Sequence, residues 1–275
     1  MPINKIDFAL VITATNCNPN GDPITNMPRI DYDGYGVIMD VAIKRKIRNR
    51  LQDTGEKILM EQSDRITDGL KSIKDKVLAS PVAKHIKDKT DHDFKQAACR
   101  EWIDVRSFGQ VFAFKSSSGV SIGIRGPVSI GIATSLETVA MEEMQITKSL
   151  NTSSDTGKDS TTYGNAKFII NHGVYVSYGS IYPQIANSTG FNKEDADKVK
   201  IAMSTLFEND ASAARPSGSM TSTLYWWEHQ DKNATKSPAT IHRSLNIVPL
   251  DAFPYFECTP DFNEGVNLEI LGEFA

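Results

Sequence analysis

Residues Ile6 to Thr15 (IDFALVITAT) are apolar and β-branched almost throughout, with no Gly or Pro to interrupt them. Such a run predicts a buried strand. It leads into NCNPNGDPITNMPRIDYDGYG (16–36), dense in Asn, Pro, Gly and Asp. These residue types set turn dihedrals, so this stretch reads as a long structured loop. A loop of that length inside a domain is functional or disordered, and its prolines favour an ordered loop that touches something. Next comes VAIKRKIRNRLQ, with Asp40 as expected N-cap and an end near Gly55. Its core stripe is Ile43, Ile47 and Leu51. Lys44, Arg45 and Arg48 share an arc away from that stripe, and Lys46 and Arg50 lie on its other flank. No acidic residue sits at i+4 within the run, so these charges are expected to be unneutralised. A solvated helix face is the alternative.

Beyond the helix, residues 56–100 are polar and rich in Lys and Asp, with Ile58, Leu59, Met60, Leu70, Ile73, Val77 and Leu78 spaced for a helical insertion. WIDVRSFGQVFAF (102–114) and GVSIGIRGPVSIGIATSL (119–136) read as strands around a Gly-containing turn. MQITKSL (144–150) and KFIINHGVYVSYGSIY (167–182) alternate as strands do. Between them lies the polar NTSSDTGKDSTTYGN, expected to be the mobile tip of a projecting hairpin. Residues 192–208 predict a helix with Val199, Met203, Leu206 and Phe207 on one side. TSTLYWWEH (221–229) and residues 241–250 close the chain as strands. No repeat is visible. Strand, basic helix, strands, helix, strand is the order of an α+β, ferredoxin-like or RRM-type βαββαβ core with two insertions, an open sheet against two helices.

Length and composition allow one large domain or two small ones: 275 residues, 40% hydrophobic and 23% charged. The net charge of -4 argues by itself against nucleic acid, but phosphates are felt over only about 8 Å in physiological salt. Distribution therefore matters more than the sum. Positive charge concentrates at Lys44–Arg50, while Asp251 to Ala275 carries acids and no Lys or Arg. The start has no secretion signal and no apolar run reaches membrane-helix length. Cys17, Cys99 and Cys258 are odd in number and far apart, which disfavours disulfides or a Cys-based zinc site and fits a cytoplasmic protein.

Catalytic signatures are missing. His85, His92, His172, His229 and His242 have no metal-ligand spacing, and no GxSxG, Walker A or helix-opening GxGxxG occurs. GIRGPVSIG is either a tight turn or a phosphate-approach loop. Asp31, Asp33 and Asp40 have the chemistry to hold a metal for phosphodiester cleavage, but turn formation and helix capping explain them more cheaply. The RRM aromatic signature is absent. RSFGQVFAF echoes it loosely through Phe108, Gly109, Phe112 and Phe114, and Phe112 and Phe114 share a face better explained as core. Trp226 and Trp227 point to opposite faces of one strand. Backbone phosphates are thus the better-supported contact.

The blocks NPNGDP (18–23), NMPRID (26–31), VAIKRKIRN (41–49), DVRSFGQVFA (104–113), GIRGPVSIGIATSL (123–136), QITKSLN (145–151) and NDASAAR (209–215) together resemble the type I-C CRISPR Cascade backbone subunit, the multicopy guide-RNA-binding member of the RAMP superfamily. The resemblance implies a single right-hand-shaped domain. Its palm, a modified RRM, would be 1–55, 99–136 and 169–275, its helical fingers 56–98 and its thumb hairpin 137–168. Copies would polymerise along the crRNA, each neighbour's thumb displacing one base and the rest staying exposed to pair with target DNA. Carried onto this chain, RNA contacts fall on Asn20, Arg29, Lys44, Arg45, Arg48, Arg106, Gln110 and Arg125. Met144 and Lys148, which with Met141 lie near the thumb base, are RNA contacts as well. The implied partners are crRNA, target DNA, further copies, a large subunit, a repeat-processing subunit and a recruited helicase-nuclease. No cofactor, metal or catalytic residue is implied. Related subunits cut RNA with a loop aspartate, so a metal-dependent ribonuclease using Asp31 or Asp33 is the alternative.

Overall fold

In the structure, a computed structural model, residues 3–86, 91–113, 121–147, 163–261 and 264–273 are described. The opening run forms β1 (Ile6–Cys17), and the loop after it leads through β2 (Tyr35–Ile38) into α1 (Asp40–Asp53). The insertion holds α2 (Ile73–Ala79) and α3 (Asp91–Glu101) with two short 3-10 turns, and then comes α4 (Ile103–Phe108). Strands β3 (Gly109–Ala113), β4 (Ser121–Arg125), β5 (Val128–Ile130), β6 (Ala133–Thr138), β7 (Met141–Thr147) and β8 (Tyr163–Ile181) follow. The chain continues with α5 (Pro183–Thr189), α6 (Lys193–Ser204), β9 (Met220–His229), α7 (Pro238–Arg243), β10 (Leu245–Pro249), β11 (Phe256–Pro260) and β12 (Val266–Gly272).

The large sheet runs β12-β9-β1-β8-β6-β2, and every neighbouring pair is antiparallel. Within it, β1-α1-β6-β8-α6-β9 is the ferredoxin-like unit, with spatial order β9-β1-β8-β6. Alternation along β1 explains the layering. Ile6, Phe8, Leu10, Ile12 and Ala14 meet Ile43, Ile47 and Leu51 of α1 and Val199 and Met203 of α6 in one core. Helix α6 starts on a capping box, in which Asn192 and Asp195 each accept from the other's backbone N–H.

The opposite face is not open. Ala9, Val11, Val174, Val176, Tyr225 and Trp227 are covered by Ile241, Leu245 and Phe256 from α7 and the β10–β11 hairpin. A strand apolar on both parities needs a cover on both sides, and this is why Trp226 and Trp227, on opposite faces, are both buried.

Three local expectations change. Residues 103–108 are helix α4, because Trp102, Ile103, Asp104, Val105 and Ser107 are all buried and so leave no one-sided period to read. Gly109 ends that helix at φ 81°, where a Cβ would run into the Ile124 carbonyl. The segment 241–250 divides into the end of α7 and β10. Asp40 is the first helical residue of α1, and Met39 occupies the N-cap without a side-chain bond.

A separate cluster joins Val77, Val82, Phe94 and Ala98 of the insertion to Trp102, Val105, Phe112 and Ile122. Phe112 is fully buried, edge-on to Phe94 at 5.1 Å. The β3–β4 hairpin forms its own two-stranded sheet within this unit. A palm–fingers boundary at 98/99 therefore cuts through one packed cluster. Strand β7 pairs with the outer part of β8, from Met141↔Ile170 to Thr147↔Tyr163. Of the expected hairpin tip, 151–162 lie outside the described residues, as does Phe114, and 163–165 belong to β8.

Candidate nucleic-acid interface

The 16–36 loop is held by its own polar groups. Asp22 Oδ1 accepts from the N–H of Ile24 at 2.9 Å and of Thr25 at 3.2 Å. Asp31 Oδ1 accepts from Asp33 N–H at 3.0 Å and Tyr35 N–H at 2.9 Å. Asn20 Oδ1 accepts from Met39 N–H at 2.9 Å, which ties the loop to the entry of α1. The Arg29 N–H donates to Asn20 O at 3.2 Å, and its guanidinium faces Asp22 at 3.3 Å while staying 32% exposed. Asn20, Arg29 and the first turn of α1 thus form one contiguous ridge. Ile24 and Tyr32 stand out from the same loop, 88% and 109% exposed.

The charges of α1 are not left unneutralised, contrary to the expectation from i+4 spacing. Lys44 pairs with Asp40 at 2.8 Å, one turn before it. Arg48 Nε donates to Asp104 Oδ2 at 3.1 Å, and its guanidinium lies over the Phe108 ring at 5.1 Å. Asp104 is buried and also accepts from Leu59 N–H at 2.9 Å and Met60 N–H at 3.2 Å. Lys46 pairs with Asp210, and Arg50 pairs with Asp53 and Glu208. Arg45 is the exception, since it donates to the Met60 carbonyl and has no carboxylate of its own among the described residues. Burial, with the like charge of Arg48 beside it, lowers the Arg45 pKa.

Arg106 is likewise engaged. Its Nε lies 3.0 Å from both Asp195 oxygens and its Nη2 2.7 Å from Oδ1, so α4 is fastened to the capping box of α6. A bidentate bond to a buried carboxylate is a packing device. Arg48 and Arg106, both expected on an RNA surface, each pair with a buried carboxylate and are 13% and 17% exposed. Gln110 and Arg125 sit on the paired strands β3 and β4. Arg125 is exposed with no ion pair among the described residues, and Gln110 Nε2 donates to the Val111 carbonyl at 3.0 Å. Met144 lies apart on β7, 44% exposed. Lys148 lies outside the described residues.

Spacing gave no sign of the Lys46–Asp210–Arg215 group, where two cations share one carboxylate. Burial pushes the Lys46 pKa down to about 8, against the pull of Asp210. Two of its members lie in the NDASAAR block, the one signal that marked this place. Among the described residues no group of three or more His, Cys, Asp or Glu is placed to hold a metal ion, and Asp31 is occupied as a turn former.

The fold and this ridge define an RRM-like α+β protein with a covered sheet, an insertion and a long antiparallel β7–β8 pair. A family model described as CRISPR-associated protein Cas7 matches residues 4–262, and the chain belongs to that family. It is 31% identical over 218 residues to the CRISPR-associated protein Cas7 of Haloferax volcanii, covering 72% of this chain and 62% of that relative. The chain thus spans about three fifths of the relative's length. A chain of a solved CRISPR RNA-guided surveillance complex in a pre-nicking state superposes with a TM-score of 0.51 at 14% identity, over 86% of this chain and 81% of that one. This likeness bears on the fold alone.

Proposed function

We propose that this chain is a non-catalytic, crRNA-binding backbone subunit of the type I-C kind. Several copies line up along one guide strand and present its bases to target DNA. The observation that carries the reading is the family match across residues 4–262, which takes in both insertions as well as the core. The seven sequence blocks support the subtype. The covered sheet face supports backbone holding over base stacking on the sheet, because its apolar residues are already occupied by α7 and β10–β11.

In this reading Asn20, Arg29, Lys44 and Arg45 hold phosphates along the loop–helix ridge, and Gln110 and Arg125 extend it onto the β3–β4 hairpin. Met144 belongs to the neighbour-facing hairpin. Arg48 and Arg106 hold the elements that carry these residues. The further partners are a large subunit, a repeat-processing subunit and a recruited helicase-nuclease, in the cytoplasm. A metal-dependent ribonuclease is the reading to exclude. Co-purified nucleic acid should sequence as uniform repeat–spacer transcripts and stay intact in Mg²⁺. Cleavage that Asp31→Ala or Asp33→Ala abolishes would overturn the proposal.

A further inference from the structure

The large sheet ends on an uncovered edge. Strand β12 pairs with β9 alone, and no strand among the described residues takes its far side. Two bonds at its ends fix which backbone groups that side presents. Gln230 N–H donates to the Gly265 carbonyl at 3.2 Å, and Glu273 N–H donates to the Ser222 carbonyl at 3.3 Å. Hydrogen-bonded pairs alternate along an antiparallel ladder, so the odd-numbered residues 265 to 273 turn their N–H and C=O groups toward β9. Val266, Leu268, Ile270 and Gly272 turn theirs outward. The other end of the sheet is different, because the loop before β2 covers it: Ile30 bridges Gly36, and Val37 N–H donates to the Arg29 carbonyl at 2.8 Å.

Natural sheet edges are blunted by Lys, Pro, bulges or charges. Val266–Gly272 has no Lys, Arg or Pro and keeps an unshifted register with β9. Its one charge, Glu269, is bonded to Lys200 of α6 at 2.9 Å, and Ile270 is 40% exposed. Such an edge is a template for an added strand.

The surroundings say what that strand carries. On the outer face Val266 and Leu268 pack against the apolar cover, and Ile270 shares their parity. On the helix face Glu269 and Asp197 stay 41% and 43% exposed, while Lys200, bonded to both, is 10% exposed. Glu264 and Glu273 stand exposed at the two ends. Beyond Gly272 the edge runs into a cleft of about 750 Å³ that sets Glu208, Asp210 and Glu273 against the single cation Arg215. Nucleic acid would meet repulsion along this line. A strand with apolar residues on one face and Lys or Arg on the other would meet a complementary surface on both. None of the segments outside the described residues alternates basic and apolar residues, so a second copy of this chain has no such strand to lend.

We infer that the β12 edge docks an extended segment of a different protein, which joins the sheet as a strand alternating apolar residues with Lys or Arg. The inference does not depend on the guide-RNA reading, and its test contains no RNA.

The probe is a peptide of about eight residues alternating Val and Lys, titrated into the full chain at several salt concentrations and followed by calorimetry and amide hydrogen exchange. Binding should slow exchange at Val266, Leu268 and Ile270. N-methylation of one alternate set of peptide residues should abolish binding and of the other set leave it, since only one set faces the edge. Ile270→Pro removes an outward N–H where an edge strand tolerates proline. It should weaken binding about tenfold, the scale of one or two lost backbone hydrogen bonds, while Ile270→Thr binds as wild type. Glu273→Gln should weaken binding with a shallower salt dependence. No binding, equal binding of a Val–Glu peptide, the same effect from both N-methylated sets, or protection away from β12 would each overturn the inference. Protection of these amides in the free protein that grows with its concentration would overturn it too, because a second copy would then hold the edge.

Discussion

Arg48→Ala separates a phosphate-holding arginine from a structural one. The substitution leaves Asp104, 1% exposed, with only the Leu59 and Met60 N–H groups at 2.9 and 3.2 Å. Removing one partner of a buried ion pair costs about 3–5 kcal/mol. Two donors remain to Asp104 and Arg48 itself is 13% exposed, so the lower end applies. The contact with Phe108 adds about 0.5–1 kcal/mol. The expected loss is about 3.5–4 kcal/mol, or roughly 7–16 °C in melting temperature at about 2–4 °C per kcal/mol. Urea denaturation should give a lower midpoint with the same slope. The Arg48→Met, Asp104→Asn double variant should lose less than the sum of its single variants. A stability change under about 0.5 kcal/mol, together with weaker RNA binding and a shallower salt dependence, would refute the structural role.

Two further outcomes follow from the same charges. The combined Lys44→Ala and Arg45→Ala variant should lower the salt slope of RNA binding by about 0.7 per phosphate contact on a single strand. An unchanged affinity and slope would remove both from the site. Lys46, 7% exposed and lowered to about 8 from 10.5, loses its proton in the folded chain before the unfolded one. It therefore costs stability below pH 8, by up to about 3 kcal/mol, and that cost is relieved as pH rises from 8 to 10.5. Lys46→Met leaves Asp210 its bond to Arg215 at 3.1 Å, so it should match or exceed wild-type stability at pH 7, with the difference shrinking toward pH 10.5. A loss of about 2 kcal/mol at pH 7 would contradict this.

What could be read in the sequence was what local periodicity carries. The stripe Ile43–Ile47–Leu51, the run of β1 and the one-sided helix around Val199 and Met203 all bury as expected. Helix α4 escaped because it is buried around most of its circumference. The outer cover escaped because β10 and β11 bury only Leu245 and Phe256 and otherwise alternate between half-buried and exposed positions, so 241–250 read as one more strand of the sheet. The α1 charges were misjudged for a different reason. Arg48 meets a carboxylate 56 residues away and Lys46 one 164 residues away, and no i+4 rule reaches that far. Asn20 and Arg29 came from the family resemblance and not from any local pattern, and the structure places both beside the entry of α1.

The central claim is that copies of this chain are organised by a guide strand. Charge gives the reason. The chain carries a net charge of -4, so like copies repel overall, screened beyond about 8 Å in physiological salt. A single strand that spans several subunits replaces that repulsion with phosphate contacts, releases counterions and raises the effective concentration of each next copy. Sedimentation of nucleic-acid-free protein, before and after a repeat–spacer RNA is added, tests this directly. Free protein should sediment as a monomer or loose associate and shift to one defined multi-copy particle only with RNA. A particle of the same size formed without any RNA would contradict the claim and make protein–protein contact the organising force.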